Sequence, residues 1–490
     1  MRDFCVTKMI QAIQLILALS FLVVIHELGH FAFARLFKVR VEKFYMFFNP
    51  WFSLVRAKKF DGKWHVKFFA RNLQEGEEDE WSKHPENTEW GIGWVPFGGY
   101  CAIAGMVDET HSSEELNKKP AQPWEFRSKS VFQRFCIIIG GILVNFVAAL
   151  ILFGVILFTW GSDSLPLKNA NDGLYFSEIL VDEGFEQHDK IISVDGRTPD
   201  ELTEVMQWII LEGCRDVVVL RGTDTVKLTM SEDLGKRYLA LQNEHDRIER
   251  AKARADKSYT KRGYVLMTEF VPFIVDSVMP DNAAYFAGIQ KGDSIVAVNG
   301  VPTPCQVQVT EELRKHPCDS VTIDLYRNGE PVQARAFIGD QGNLGVFVRS
   351  KYAFFELEHR DYSFFEAIPE GIKYGWESLV MYVKQFRLVF TKEGAQSVGG
   401  FGAIGNMFPS FWNWHAFWQM TAFLSLILAF MNFLPIPALD GGYILFLLVE
   451  AITRRKPSDK FLEKANEVGF WLLIALLIFA NGNDILKLFF

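Results

Sequence analysis

Val24-Ile25-His26-Glu27-Leu28-Gly29-His30 lies toward the far end of a run that begins at Met9 and carries no charge through Ile25. On an α-helix, residues four apart share a face. Both imidazoles can therefore reach one metal ion, with Glu27 set to touch a water beside it. An ionisable group at the centre of a membrane helix costs roughly 2.5–3.5 kcal/mol, so an unused triad here is hard to sustain. The stretch reads as a membrane helix with a metal-binding face. From Met9 to Phe37 it would measure about 44 Å at 1.5 Å per residue, longer than the ~30 Å hydrocarbon layer, so one end emerges. Residues 18–30 offer no convincing small-x-small cleavage site, and the run is expected to be retained as residues 1–37.

Three further apolar zones follow. Phe135–Trp160 is free of charge and supplies a second span at 131–160. Residues 416–453 form a third, interrupted by Pro435 and Pro437, which cannot continue a helix. Irregular backbone at membrane depth is tolerated beside a cavity or under protein cover, so this break marks a site. Residues 467–490 make a shorter fourth span. Basic residues cluster at the apolar boundaries in 38–130 (Lys38, Arg40, Lys43, Arg56, Lys58, Lys59) and in 453–466 (Arg454, Arg455, Lys456, Lys460, Lys464). The positive-inside rule puts these loops in the cytoplasm and segment 161–415 on the other side, the periplasm in a bacterium.

Two histidines leave a tetrahedral zinc one protein ligand short if water takes the fourth position, as in catalytic sites. Asp440, an isolated carboxylate beside the broken helix, is the obvious donor. At this point the chain resembles a known family: the site-2 proteases, intramembrane zinc metalloproteases, and more closely their RseP-like branch with tandem PDZ domains. The resemblance rests on His26-Glu27-Leu28-Gly29-His30, on Asn432-x-x-Pro435-x-Pro437-x-Leu439-Asp440-Gly441-Gly442 and on Pro96-Phe97-Gly98-Gly99-Tyr100. It implies Zn2+ bound by His26, His30 and Asp440, and Glu27 as general base. Two departures stand out. Gly140-Gly141 occupies the place where the family usually has Gly-Pro ahead of Asn145, and Gly399-Gly400-Phe401-Gly402-Ala403-Ile404-Gly405 replaces a Gly-Pro-Ile-Gly-like segment.

A peptide bond in a helix must unwind before attack, so a substrate strand needs something to hold it. Gly91–Met106 is apolar, glycine-rich and too short to span, which suggests a membrane-associated β hairpin or sheet within the cytoplasmic insert 38–130. In the resembling family this region pairs with substrate, placing Gly98, Gly99 and Tyr100 at the strand edge. Asn145 and Asn432, amides inside spans, are candidates to hydrogen-bond substrate backbone. The acidic stretch 72–90 reads as a solvated loop.

Between the second and third spans, Val278–Gly300 runs through a small-residue helix, a Gly292-Asp293 turn, an alternating strand and Asn299-Gly300, a succession that resembles a PDZ domain. Ile179–Pro199 repeats it imperfectly. The expected order is a degenerate PDZ-like domain at 168–230, a charged linker at 231–262, a second PDZ-like domain at 263–350 and an amphipathic connector at 351–410. The fold class is thus a polytopic α-helical membrane protein with about four transmembrane helices, a membrane-associated β region and two PDZ-like α+β domains.

Net charge is −8 over 490 residues, so no global positive field invites nucleic acid. The six cysteines show no CxxC pairing, which removes a thiolate zinc site and a dense disulfide framework and leaves only a Cys305–Cys318 bridge to consider. The resemblance implies single-span substrates already clipped by an upstream site-1 protease, among them anti-sigma factors and signal-peptide remnants, in the bacterial inner membrane. Two other classes compete. An inactive PDZ scaffold would have no need of Glu27, and an ion transporter would not need the PDZ-like modules.

Overall fold

The computed structural model describes residues 2–73, 79–96, 98–106, 120–255, 259, 261–391, 394–395 and 398–489. Most of the acidic run Glu75–Glu80, and Phe97 of the Pro-Phe-Gly-Gly-Tyr motif, lie outside the described residues. Two compact units emerge, one built from 1–161, 361–383 and 398–486, the other from 162–360, 384–397 and 487–490.

In the first unit the principal helices are α1 (Arg2–Leu36), α2 (Val131–Trp160), α3 (Phe364–Phe386), α4 (Trp414–Phe433), α5 (Asp440–Thr453) and α6 (Asp459–Phe489). Four of them, α1, α2, α4 and α6, are long and apolar enough to cross a membrane. Ser130 caps α2 through a reciprocal bond pair with Gln133, which starts the helix at Val131, four residues before its charge-free run. The third apolar zone is two helices, separated at Leu434–Leu439. The fourth begins at Asp459 rather than 467, because Ser458 Oγ accepts from the Phe461 N–H and caps a turn that its charged residues concealed.

Small residues bring α1 and α2 together. A Cβ at Gly29 would sit 2.3 Å from the Gly140 carbonyl oxygen, and one at Gly140 would sit 2.8 Å from that of Gly29. The helices therefore touch backbone to backbone beside the histidines. At the far end of α5, Glu450 takes a two-pronged contact from Arg134 of α2 at 3.1 and 2.5 Å, both side chains nearly buried.

The insert after α1 is a five-stranded sheet in the order β3-β2-β4-β1-β5, with β1 at Val41–Met46, β2 at Phe52–Phe60, β3 at Lys63–Arg71, β4 at Glu89–Ile92 and β5 at Tyr100–Ile103. Of the two forms expected at 91–106, a hairpin or a sheet, the hairpin does not form, since β1 lies between β4 and β5, parallel to one and antiparallel to the other. The end of the supposed loop 72–90 likewise becomes β4. At β5 the sheet ends, and among the described residues no strand pairs with its outer edge.

The second unit holds two modules with separate cores. The charged segment 231–262 is not a linker between them. Its helix, Leu234–Ala255, is followed by a strand, Met267–Glu269, that pairs with Leu174–Phe176 of the first module, and Leu234, Leu266 and Met267 are buried in that module's core. The first module thus closes after the helix, which is an insertion within it, and the boundary expected at 230/263 is displaced because these apolar residues belong to the earlier core. In the second module Val346–Val348 pairs in the same manner with Phe273–Val278. One clamp appears twice. The Arg221 guanidinium holds buried Asp189 at 2.9 and 2.8 Å and the Gly184 carbonyl at 2.8 Å, and Arg327 holds buried Asp293 at 2.8 and 2.7 Å and the Gly288 carbonyl at 2.8 Å. Cys305 and Cys318 are free, so the bridge considered between them is absent.

Candidate metal centre

His26 and His30, one turn apart on α1, turn their rings toward the first residue of α5. Asp440 Oδ2 lies 3.1 Å from His26 Nε2 and 3.4 Å from His30 Nε2, and the two Nε2 atoms are 3.2 Å apart. The local backbone dictates this. Between α4 and α5 the chain folds back so tightly that a Cβ at Gly441 would meet the Leu434 carbonyl at 2.1 Å, and one at Gly442 the Ile436 carbonyl at 2.6 Å. Ala438 takes a positive φ of 73°. The prolines thus end α4, the glycines admit the return, and Asp440 is delivered at the start of α5.

The donor chemistry fits zinc. His30 Nδ1 is 2.9 Å from the Ile137 carbonyl, an acceptor only, so its proton sits there and Nε2 presents a lone pair. That lone pair faces another imidazole nitrogen and a carboxylate oxygen that makes no well-aligned hydrogen bond. Two imidazole nitrogens and a carboxylate oxygen converging in a mostly buried space form a donor set that could hold a cation. Donors on a tetrahedral ion at about 2.0–2.1 Å are spaced roughly 3.3 Å apart, close to the separations here.

A cavity of ≈ 470 Å³ opens onto these atoms. Glu27, Gly99 and Tyr100 line it, as do Tyr443 of α5 and the α6 residues Glu463, Asn466, Glu467 and Phe470. A Cβ at Gly99 would fall 2.8 Å from a Val23 methyl and 2.6 Å from the Tyr45 carbonyl, so glycine lets the loop before β5 lie against α1 next to Glu27. Tyr100 stacks flat on Tyr45, 5.1 Å between centroids, and donates to Asn49 at 3.0 Å. Tyr45 in turn donates to Glu89 at 2.5 Å, and burial, then that carboxylate, push its phenol well above the ordinary value. It stays a donor at any working pH.

Of the residues read from sequence, the structure brings together His26, Glu27, His30, Asp440, Gly99 and Tyr100. Gly98 adjoins the cavity without lining it, held at φ 153° against Phe48. Asn432 stands at the end of α4, away from the lining, and Asn145 is fully buried behind His26, its Nδ2 3.4 Å from His26 Nδ1. The polar stripe Glu463, Asn466 and Glu467 escaped the sequence reading, although its helical spacing on a membrane helix is a signal. Gly141, noted from sequence only as a departure from Gly-Pro, makes room for both rings by its missing side chain.

Residues 14–71 and 79–476 match the family model for peptidase family M50. The chain belongs to that family. Membership makes it a membrane-embedded, zinc-dependent peptidase of the site-2 type. Similar proteins include the regulator of sigma-E protease RseP of Escherichia coli, 25% identical over 96% of this chain and 98% of that one. The regulator of sigma E protease of Haemophilus influenzae is also 25% identical, over 96% and 98%. A candidate zinc metalloprotease of Ralstonia nicotianae is 23% identical over 98% and 99%.

Proposed function

We propose that this M50 peptidase cuts membrane-spanning segments of single-span proteins already shortened by another protease, with His26, His30 and Asp440 holding zinc and Glu27 as general base. The single observation that carries the assignment is the convergence of two imidazole nitrogens and a carboxylate oxygen within 3.1–3.4 Å beside Glu27. Bound there, zinc would polarise the scissile carbonyl and lower the pKa of water to about 7. The Glu27 carboxylate accepts a proton from the attacking water and returns it to the leaving amine nitrogen. The outer edge of β5, beside the cavity, supports capture of an unwound substrate as an added strand. Tyr45 and Asn49 hold Tyr100 in place along that edge.

The orientation rests on the basic residues flanking the spans, which favour the cytoplasm for 38–130 and 453–466 and the opposite compartment of a bacterial inner membrane for the two modules. The modules, read as PDZ-like, would act as a size filter that excludes substrates with bulky outer domains. Anti-sigma factors and signal-peptide remnants are the substrate classes proposed, the first supported by relatives that carry the name regulator of sigma-E protease. Reconstitution with a single-span substrate in liposomes, followed by mass spectrometry of the products, tests the reading. A cut within the apolar segment supports it. Cuts only in the water-exposed flanks contradict it.

A further inference from the structure

We infer that Asn145 is a positioning residue for the metal centre, its side-chain oxygen accepting the His26 Nδ1 proton and so directing the His26 Nε2 lone pair at the cation site. The inference rests on the metallopeptidase reading of that site. Asn145 is fully buried in α2 and does not line the cavity, so an incoming peptide cannot reach it. Its backbone carbonyl accepts from Ser425 Oγ of α4 at 2.7 Å, which fixes the residue between two helices. On the α1 side its amide meets the His26 ring. Nδ2 faces His26 Nδ1 at 3.4 Å, while Oδ1, also buried, meets no donor.

The two ends of the amide have opposite consequences. With Nδ2 toward the ring, Nδ1 must be the acceptor, and the imidazole proton sits on Nε2, aimed at His30 Nε2 and Asp440 Oδ2. A protonated Nε2 offers a cation nothing. A half-turn of the amide exchanges its ends, gives Oδ1 the donor it lacks, moves the proton to Nδ1 and frees the Nε2 lone pair. Metal ligation by His26 through Nε2 therefore selects the turned amide. His30 needs no such device, since a backbone carbonyl, that of Ile137, already holds its Nδ1 proton. One ligand is thus set by the main chain of α2 and the other by a side chain of the same helix two turns further on. Such outer partners of metal-bound histidines typically carry a 10–100-fold share of metal affinity.

Two substitutions separate this role from packing or substrate binding. Asn145→Asp can only accept, so it enforces the turned arrangement. Asn145→Leu keeps the volume and removes the acceptor. Zinc affinity of the purified full-length protein, measured by competition with a chromophoric chelator, is expected to stay within about threefold of wild type in Asn145→Asp and to fall roughly 10–100-fold in Asn145→Leu. Cobalt-loaded Asn145→Leu should also show a weakened tetrahedral absorption band. An Asn145→Leu protein that binds zinc as wild type does, or an Asn145→Asp protein that loses zinc as Asn145→Leu does, overturns the inference alone. Unchanged zinc affinity with a raised KM in both variants also overturns it, in favour of substrate contact. Wild-type protein that takes up no zinc overturns the metal reading itself, and the inference with it.

Discussion

Alanine at Gly141 tests whether the contact of α1 with α2, and not the histidines alone, builds the centre. A Cβ there would lie 2.5 Å from His30 Nε2 and 2.7 Å from His26 Cε1, whereas ordinary contact begins at 3.4 Å. The His30 ring must then retreat by about 0.9 Å, several times the ~0.2 Å that metal–donor distances tolerate. Backing away is the only relief, because the methyl is fixed to the backbone of α2. At least one imidazole should drop out of the site, and zinc affinity should fall by ~100-fold or more, about 2.7 kcal/mol. Stability should move less. Alanine favours a helix interior over glycine by about 1 kcal/mol, which offsets part of an overpacking cost of roughly 1–3 kcal/mol. Gly482→Ala is the control, since a Cβ there meets nothing within 4 Å. Competition titration of zinc against a chelator, on both purified variants, gives the readout. Wild-type affinity in Gly141→Ala would refute the reasoning, because the rings would then not rest on α2.

Arg134→Ala should lower unfolding stability by about 3–5 kcal/mol, since it strands the nearly buried Glu450 carboxylate, and a detergent-compatible thermal melt checks it. Arg327→Ala should destabilise the second module and weaken its acid response. Burial alone would raise the Asp293 pKa, but Arg327 outweighs it and holds the carboxyl below its ordinary range, so that stabilisation is present near neutrality and is lost as pH falls through the folded value. Without the arginine only the Gln290 N–H still opposes burial, so the depression should shrink, and hydrogen-exchange protection of residues 294–298 should fall less than in wild type as pH drops below about 4. Replacing 168–350 with a flexible segment should permit cleavage of an unclipped substrate, read by gel. Discrimination by outer-domain size that survives with activity intact would favour client recruitment over filtering.

The candidate site was legible because the ligands proposed for it are polar residues in apolar surroundings. His26, His30 and Asp440 are conspicuous against their neighbours, and Pro435, Pro437, Gly441 and Gly442 announce the break that brings Asp440 into place. Spans also declare themselves by length and lack of charge. What escaped depends on pairings between distant segments. Nothing in Gly91–Met106 says that Val41–Met46 separates its two strands, because strand order is decided by partners 40–60 residues away. The closing strand Met267–Glu269 was assigned to the wrong module for the same reason, its apolar residues being compatible with either core. Asn145 was legible as a functional amide, but its direction was not. Whether it faces a peptide or an imidazole is settled by the helical phase of α2 against α1, which the Gly29–Gly140 contact sets.

The most direct test of the central claim pairs metal analysis with turnover in a single variant, Glu27→Gln. The amide preserves shape and leaves His26, His30 and Asp440 untouched, yet cannot take the water's proton. The purified variant should carry one zinc per chain, as wild type does, and yield no cleavage product from a single-span substrate that wild type cuts. Substantial turnover by zinc-loaded Glu27→Gln would contradict the account.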